Sequence, residues 1–358
     1  MRVLITGGGT GGHFFPGLAV AEAVQRRGGE VYWLGAQSGI EARKLPELGI
    51  PHRLLPVTGA VGVPLRKKLG SVVRLLPALV AARSYLAKVT PQVVLSVGGY
   101  AAFPGAVAAG TAGVPLVLQE QNAFPGLVHR LLAPWAAAIA CGLPQAVEAL
   151  PSLPARFTGN PVRAAFFQLP PAPPRRALAV LGGSQGSQVL NRLLPEALAL
   201  LPPESRPEVV HQAGERWVSE VEERYRCCGV AAQVVGFLSR PWEVLAQVPL
   251  VVARAGALTV AELAAAGRAA VLVPFGQAAE GHQLANARAL ASTGAAWVIE
   301  EAEASPARLA QLLAKLFADP GDLAARGTKA RSLARADAAE AVVQLLALVA
   351  KQTLGEAA

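Results

Sequence analysis

The first segment that could do chemistry is a glycine-rich run ending in a histidine, GGGTGGH at residues 7–13. It lies between a short apolar run and a segment with helical periodicity, as a turn between a strand and a helix would. Such a turn exposes backbone N–H groups beside the positive end of the helix dipole, which suits a phosphate or an oxyanion. His13 stands at the helix entrance, as a general base, a donor to a phosphate, or only a helix-start residue. The motif predicts an anion site and leaves these three roles open.

The same residues also fit the dinucleotide pattern G-x-G-x-x-G, through Gly7, Gly9 and Gly12. A dinucleotide-binding domain would carry an acidic residue at the end of its second strand. The second strand here, EVYWLGAQ, has Glu30 at its start and no acid at its end. The pattern therefore argues against a dinucleotide and for another phosphate-bearing ligand.

A second glycine turn, GGSQG at residues 182–186, repeats the arrangement half a chain later. Here Ser184 adds a hydroxyl and Gln185 adds an amide. One glycine turn can be architectural. Two turns in matching positions of two tandem domains favour a ligand that uses both.

A third segment, RAGALTVAELAAAG, leads from a turn of small residues into a helix. Glu262 falls in the second turn of that helix, where its carboxylate can accept hydrogen bonds from both hydroxyls of a ribose. The alternative is a solvated glutamate on a helix surface.

Polar side chains suited to a sugar occur in two other places. His282, Gln283 and Asn286 cluster at the start of a predicted helix, in GHQLANA. The segment QEQN, which contains Glu120, ends an apolar strand, where the ligands of α/β sheets gather.

The elements that would position these residues alternate between strand and helix, which is typical of parallel α/β sheets. The proline-rich QLPPAPPRR at residues 168–176 reads as a linker, after which the pattern starts again. The sequence therefore predicts two similar doubly wound domains in tandem, followed by an Ala-rich helical segment. Strands are expected near residues 2–6, 30–35, 52–57, 92–97, 114–119 and 137–141, and then near 177–182, 208–212, 233–236, 249–253, 270–274 and 296–299.

Composition limits the class of protein. The 358 residues are 53% hydrophobic and 16% charged, as in globular proteins with large buried sheets, and no run approaches the roughly 18–20 apolar residues of a membrane span. The N-terminus enters a strand directly, which leaves no room for a signal peptide. Three cysteines form neither a metal spacing nor a disulfide framework, so we expect a reducing cytoplasm.

The charge is unevenly placed. The net charge is +9, and no Asp or Glu occurs from Leu48 to Gln119, a window with seven Lys and Arg residues. Such a surface attracts phosphate-rich partners, either nucleic acid or an anionic membrane. The three aspartates, Asp319, Asp322 and Asp337, all lie near the C-terminus. No Asp-x-Asp metal clamp is present, and we expect a metal-free mechanism.

Seven segments of the chain, five of them described above, stand together in the order and spacing of one family. GGTGGHFFPGLAVA, SVGGYAAFPG, LQEQNAFPGL, GNPVR, GGSQGS, RAGALTVAEL and GHQLANA resemble the MurG family, over nearly the whole chain. Members transfer N-acetylglucosamine from UDP-N-acetylglucosamine to lipid I, which gives lipid II for peptidoglycan synthesis. The resemblance implies a GT-B fold, in which two Rossmann-like doubly wound α/β domains face each other across a cleft. The expected domains are 1–163, with a C-terminal helix at about 338–358 packing back on it, and 164–337.

The family pattern also assigns roles to residues of this chain. It implies that Glu262 holds the ribose hydroxyls, that Ser184 and Arg163 approach the diphosphate, and that the backbone around Leu238 binds the uracil. The full set implied for UDP-N-acetylglucosamine is Thr10, Gly11, Gly12, His13, Asn122, Arg163, Ser184, Leu238, Ala257, Leu258, Glu262, His282 and Gln283.

The sugar and acceptor sides follow in the same way. Gln283, with His282 beside it, would meet the sugar hydroxyls, and Asn122 would reach the sugar. Gly9 and Tyr100 would lie near the lipid diphosphate of the acceptor. One departure occurs at Ala255, where many relatives have serine, so no hydroxyl contact is expected there.

The implied reaction is an inverting transfer without a covalent sugar–enzyme intermediate. Of the groups that could remove the acceptor proton, His13 is the first candidate and Glu120 the second. Charge on the departing diphosphate would be stabilised by helix N-termini, Ser184 and Arg163, with no metal or cofactor.

The resemblance suggests a function for the segment from Leu48 to Gln119, which has basic but no acidic residues. The stretch PLRKKLGSVVRLLPALVAARSYL mixes basic and aliphatic residues, as a membrane-surface helix does. We therefore expect Arg66, Lys67, Lys68 and Arg74 to contact anionic lipid, on the cytoplasmic face of the membrane. The alternative is ordinary core beneath a solvated basic rim.

Three other functions compete with this one. A UDP-sugar 2-epimerase shares the architecture but would need no lipid acceptor, and a non-catalytic UDP-sugar sensor would bind without turnover. A nucleic-acid-binding protein would need aromatic or arginine platforms, whereas aromatic residues are 5% of the chain and the basic residues stand among aliphatic ones.

Overall fold

The computed structural model describes residues 1–57, 65–183, 185–276 and 281–356, without the side chains of residues 65–74 and 353–356. The chain forms two compact units. The first comprises Met1–Arg163 and Arg335–Ala358, and the second comprises Ala164–Ala334.

The first unit is built on a parallel sheet of seven strands, in the order β3-β2-β1-β4-β5-β6-β7. Its central strands are short apolar runs with no exposed face, as expected of a sheet covered on both sides. The strands are β1 Arg2–Thr6, β2 Glu30–Ala36, β3 His52–Leu55, β4 Val93–Ser96, β5 Leu116–Glu120, β6 Ala138–Cys141 and β7 Ala155–Phe157.

Helices cover both faces of this sheet. One core cluster joins α1 and α14 to the sheet and includes Phe14, Trp33 and Leu346, while the other joins α3, α4 and α5 and includes Ala82 and Leu118. The C-terminal helix α14 thus completes the first unit. The helices are α1 Gly11–Arg26, α2 Glu41–Glu47, α3 Leu65–Val89, α4 Ala102–Ala112, α5 Leu127–Leu132, α6 Pro144–Glu148 and α14 Ala338–Glu356.

The second unit repeats the design with six parallel strands, in the order β10-β9-β8-β11-β12-β13. Its strands are β8 Ala177–Leu181, β9 Glu208–Gln212, β10 Gln233–Val235, β11 Leu250–Ala253, β12 Ala269–Leu272 and β13 Ala296–Val298. Its helices are α7 Gln188–Ala199, α8 Val218–Cys227, α9 Pro241–Gln247, α10 Ala257–Ala266, α11 His282–Ser292, α12 Pro306–Phe317 and α13 Pro320–Ala330.

The predicted fold class is confirmed: both units are Rossmann-like and parallel, and all twelve predicted strands are present. Among the described residues, β7 is the one strand that the sequence did not predict, because its three residues ARF contain no apolar run and lie at the sheet edge. No helix in the described ranges is both long and apolar enough to cross a bilayer.

The order of each sheet decides where its loops meet. In the first sheet β1 pairs with β4, so that Thr6 stands beside Ser96 at the carboxyl ends. In the second sheet β8 pairs with β11, with Leu181 beside Ala253. These are the points at which the strand order reverses, where α/β sheets bind ligands. Both glycine turns begin at such a point.

A buried arginine anchors the linker that opens the second unit. Arg268 is fully buried, and its guanidinium donates to the carbonyl oxygens of Leu245, Ala266, Gly267 and Pro170. Burial, with a smaller effect of a neighbouring positive charge, lowers its pKa to about 10. The side chain therefore stays charged at neutral pH, stabilised by main-chain dipoles.

Replacing Arg268 with methionine should destabilise the second unit by about 3 kcal/mol, because several carbonyl groups lose their donors. For a unit of this size the loss corresponds to about 6–12 °C in the calorimetric transition. The matched control is Arg240→Ala, which removes an exposed i,i+3 ion pair and should change little. An unchanged transition in Arg268→Met would refute the anchoring role.

Candidate functional site

The first glycine turn uses its own amides internally. Residues Gly7–Gly9 all have positive φ, and the first two donate to the carbonyl oxygens of Leu34 and Gly98, at 3.1 and 3.4 Å. The amide of Gly9 donates to the carboxylate of Glu41, at 2.9 and 3.0 Å from its two oxygens. At the start of α1 the amides of His13 and Phe14 donate to the carbonyl oxygen of Thr10, at 3.2 and 3.1 Å, so the N–H groups left for an anion are those of Gly11 and Gly12.

His13 lies in that first turn and is half-buried. Its Nδ1 is 3.1 Å from Oγ1 of Thr10, which leaves Nε2 for other partners. Burial lowers the pKa of His13 to about 4, against the opposing influence of the Glu120 charge, and a smaller effect of His129 lowers it further. The imidazole is therefore neutral at pH 7 and able to accept a proton.

The loop after β4 packs closely on the same turn. A Cβ on Gly9 would lie 2.7 Å from the Tyr100 ring, and one on Gly99 would lie 2.5 Å from the carbonyl oxygen of Gly8. A Cβ on Gly98 would lie 3.0 Å from Cδ2 of His13. The bare glycines of both loops thus allow Tyr100 and His13 to lie on one surface.

Glu120 is set beneath this surface rather than on it. Its side chain is 2% exposed. One oxygen accepts from the backbone N–H and the side-chain amide of Asn122, and the other accepts from Gly126 N and bonds to His129 Nδ1 at 2.8 Å. The far nitrogen of His129 meets Ser96 Oγ at 3.2 Å. Burial alone would raise the pKa of Glu120, but the interactions with His129, Asn122 and Gly126 outweigh it and bring the pKa to about 2.

This setting differs from the one that a base in direct contact with substrate needs. The carboxylate is buried, and both of its oxygens already accept hydrogen bonds from the protein. One of these bonds orients the side chain of Asn122. Asn160, from GNPVR, supports the same loop by donating to Gln121 O at 2.9 Å.

Arg163 ends the first unit and lies over an aromatic ring. Its Cζ is 4.7 Å from the ring centroid of Phe15, at the start of the second turn of α1. A cation over a ring face keeps its charge in place without neutralising it.

In the second unit, the glycine turn after β8 is also tightly enclosed. A Cβ on Gly186 would overlap the carbonyl oxygen of Ala213. Ser187 caps α7 by accepting from Leu190 N at 3.3 Å, and its hydroxyl also accepts from Arg254 Nε at 2.8 Å. Ser184, expected at the diphosphate, lies outside the described residues.

Arg254 also joins this helix cap to residues that follow β12 and β13. It pairs with Glu301 at 2.9 Å and donates to the carbonyl oxygen of Val273 at 3.1 Å. In the sequence, Arg254 opens the segment RAGALTVAEL without any sign of a role, and Glu301 was not predicted because it stands in a charged stretch with no distinctive spacing.

The predicted ribose and uracil residues follow two different strands of the second sheet, β11 and β10. Helix α10 begins at Ala257, followed by Leu258, directly after β11, and the half-buried Glu262 lies in its second turn. Leu238 is half-buried in the loop after β10. Ala255 is fully buried, so its side chain is not presented to a ligand.

The predicted sugar residues begin helix α11. His282 is its first residue, and Gln283 Oε1 accepts from the N–H groups of Ala255 and Phe275, at 3.2 and 3.0 Å. Because the oxygen of this amide is engaged, its NH2 group is the end that faces other partners. Asn286 is fully buried and donates to Ala255 O at 3.2 Å, which gives it a structural role.

Both halves of the chain match family models. Residues 3–141 match the glycosyltransferase family 28 N-terminal domain, and residues 177–342 match the family 28 C-terminal domain. These matches define the class as that of a family 28 glycosyltransferase.

A relative from Stutzerimonas stutzeri is 45% identical over 98% of this chain and 99% of its own length. It is named as the UDP-N-acetylglucosamine–N-acetylmuramyl-(pentapeptide) pyrophosphoryl-undecaprenol N-acetylglucosamine transferase. The crystal structure of Acinetobacter baumannii MurG is 32% identical, covers 96% of this chain and 98% of its own, and gives a TM-score of 0.76. The chain therefore belongs to the MurG family.

The same fold is found in a UDP-GlcNAc 2-epimerase from Neisseria meningitidis, with a TM-score of 0.69 over 96% of this chain and 99% of the other. Its sequence is 11% identical to this one, so that the likeness concerns the fold alone. Within the described ranges, no three His, Cys, Asp or Glu side chains come together as a metal site.

Proposed function

We propose that this protein transfers N-acetylglucosamine from UDP-N-acetylglucosamine to lipid I, undecaprenyl-pyrophosphoryl-N-acetylmuramyl-pentapeptide. The observation that carries the proposal is the 45% identity, over nearly the full length of both chains, to a transferase named for this reaction. The half-buried polar groups at the carboxyl ends of both sheets support it, because they suit a nucleotide sugar and a diphosphate.

The second unit takes the donor. Glu262 accepts hydrogen bonds from the ribose hydroxyls, the backbone near Leu238 contacts the uracil, and Ser184 and Arg163 approach the diphosphate. The NH2 group of Gln283 donates to sugar oxygens, since its carbonyl oxygen is held by main-chain amides.

The remaining residues that the family pattern implies for the donor have these proposed roles. His282, beside Gln283, and Asn122 complete the set around the sugar, while Ala257 and Leu258 contact the nucleotide at the start of α10. Glycines 11 and 12, with Thr10, offer the N–H groups at the start of α1 to phosphate oxygens.

In the transfer step, a hydroxyl of the muramyl sugar attacks the anomeric carbon from the face opposite UDP. The bond from that carbon to the diphosphate oxygen breaks, its electron pair leaves with UDP, and the configuration inverts. The hydroxyl proton passes to Nε2 of His13, which is neutral at pH 7. The charge that develops on UDP is stabilised by Arg163, Ser184 and helix N-termini, so that no metal is needed to stabilise the leaving group.

The test is release of UDP from UDP-N-acetylglucosamine in EDTA, with and without a soluble lipid I analogue. We expect release only with the analogue present. Equal release without it, or release that requires added divalent metal, would contradict a metal-independent transferase.

The membrane-bound acceptor requires a surface that meets the bilayer, and we assign it to the α3–α5 side of the first unit. Here Leu76 and Val80 on α3 and Leu131 on α5 are 69%, 70% and 59% exposed, and Trp135, just after α5, is 60% exposed. Helix α3 runs unbroken through Pro77. Exposed Arg83, Lys88 and Arg130 lie on the same helices, which suits an anionic lipid surface. The predicted contacts Arg66, Lys67, Lys68 and Arg74 belong to α3, but their side chains are outside the described residues.

The variant Leu76→Glu/Val80→Glu should lower partitioning onto phosphatidylglycerol vesicles by about tenfold or more, because two apolar contacts are replaced by charges that anionic lipid repels. The matched control is Leu200→Glu, at a side chain 60% exposed in the second unit, which should partition like the parent. Equal partitioning of the parent, the double variant and the control in a flotation assay would contradict the assignment of the α3–α5 side as the membrane-contacting surface.

A further inference from the structure

A buried carboxylate packs against the first glycine turn. Glu41 is the first residue of α2 and is fully buried. Its oxygens accept from Gly9 N, at 2.9 and 3.0 Å, and from Ala36 N, at 2.7 Å. One side chain thereby links the first glycine turn to the end of strand β2.

The surrounding residues are shaped to hold this carboxylate. A Cβ on Gly8 would lie 2.5 Å from its carboxyl carbon, and a Cβ on Gly35 or Gly39 would overlap the side chain as well. Three glycines in two separate segments therefore leave room for one acid. The buried charge is stabilised by main-chain N–H groups and by the start of its own helix.

The location also accounts for the missing dinucleotide acid. In dinucleotide-binding domains an acid at the end of the second strand faces the ribose. Here the acid at that strand end is Glu41, which comes from the following helix and turns into the protein instead. A ribose has no access to it.

The hydrogen bond from Gly9 N to Glu41 also affects the position of His13, the proposed base. Gly9 is followed by Thr10, whose Oγ1 contacts His13, and Gly9 itself lies against the ring of Tyr100. Holding Gly9 N on a fixed acceptor fixes the start of α1 and the imidazole in its first turn.

We infer that Glu41 is a positioning residue: through Gly9 it sets the conformation of the glycine turn that places His13 for proton transfer. The inference rests on the proposed function, because it assigns Glu41 a part in that transfer. Glu41 touches neither substrate nor the reacting atoms, and it acts through the backbone.

The test is Glu41→Gln, which keeps the shape but puts an NH2 group opposite main-chain donors. We expect kcat to fall about tenfold to a hundredfold, with the KM for UDP-N-acetylglucosamine within about twofold, because the donor is bound mainly by the second unit. Deuterium uptake should rise in a peptide covering residues 7–13 and stay unchanged in peptides of the second unit. The control is Glu47→Gln, on the exposed side of α2, which should match the parent in every measurement.

Gly39→Ala provides a second route if the glutamine variant does not fold, since the added methyl displaces the carboxylate while the charge remains. It should reproduce the same pattern. Unchanged kcat and unchanged uptake in either folded variant would overturn the inference, and so would a donor KM that rises as much as kcat falls. The uptake measurement needs no turnover, so an inactive parent protein would contradict the proposed function without affecting this result.

Discussion

Replacing His13 with alanine should lower kcat by about 10²- to 10⁴-fold, the usual loss when a general base is removed. The KM for UDP-N-acetylglucosamine should stay within about twofold, because Glu262, Leu238 and Gln283, which are proposed to bind the uridine and the sugar, lie in the second unit. Initial rates at saturating acceptor analogue, with the donor varied, would measure both constants. The control is His52→Ala, a histidine on β3 of the same unit whose Nδ1 lies 2.8 Å from the carbonyl oxygen of Ile50.

The pH dependence provides an independent check on His13. Its pKa lies at about 4, lowered chiefly by burial, and the base must be unprotonated to accept the proton. The kcat/KM of the parent protein should therefore fall as pH drops through about 4 and stay level from about pH 6 to neutrality. An acid limb near pH 6.5 would contradict the lowered pKa of His13, whereas a donor KM that rises in His13→Ala while kcat survives would make His13 a binding residue instead.

Replacing Glu120 with glutamine should destabilise the first unit by about 3 kcal/mol at neutral pH, because a buried carboxylate whose pKa is lowered to about 2 is lost. A lowered folded-state pKa means that the contribution is complete above about pH 4.5 and disappears as pH falls through about 2. Native-state hydrogen exchange in peptides of β1 and β4 would measure the loss. The parent and the variant should differ at pH 7 and converge towards pH 2.

Activity should fall in the same variant, since Asn122 loses the acceptor that orients its side chain. The control is Glu22→Gln, an exposed glutamate on α1, which should be neutral for both stability and turnover. Full stability with abolished turnover would point to direct catalysis by Glu120 and would contradict the orienting role.

The architecture was predictable because the strands of a buried parallel sheet appear in the sequence as short, continuous apolar runs. Runs such as ALAVL and LVVA are buried on both faces, bounded by glycine, proline or charge, and repeated in two halves. Strand β7 escaped prediction because an edge strand of three residues needs no apolar run. The strand order then follows from the short connections and the right-handed crossovers of such folds.

The candidate site was predictable only where a residue type itself suggests chemistry. The glycine turns and Glu262 fall at strand ends or helix starts because ligands bind there. The buried, fully hydrogen-bonded state of Glu120 was not predictable from the sequence. Its partners include Gly126 and His129, which lie six and nine residues later and form no recognisable motif with it. Glu41 was missed for a similar reason: its importance comes from three glycines that make space for it, not from its neighbours in a motif.

The most direct test of the proposed transfer is to identify the product formed from UDP-N-acetylglucosamine and a soluble lipid I analogue. Mass spectrometry and NMR should show the analogue extended by one N-acetylglucosamine in the inverted anomeric configuration, with one UDP released per sugar transferred. An unextended analogue together with the 2-epimer of the donor would show that the protein is an epimerase and would contradict the account.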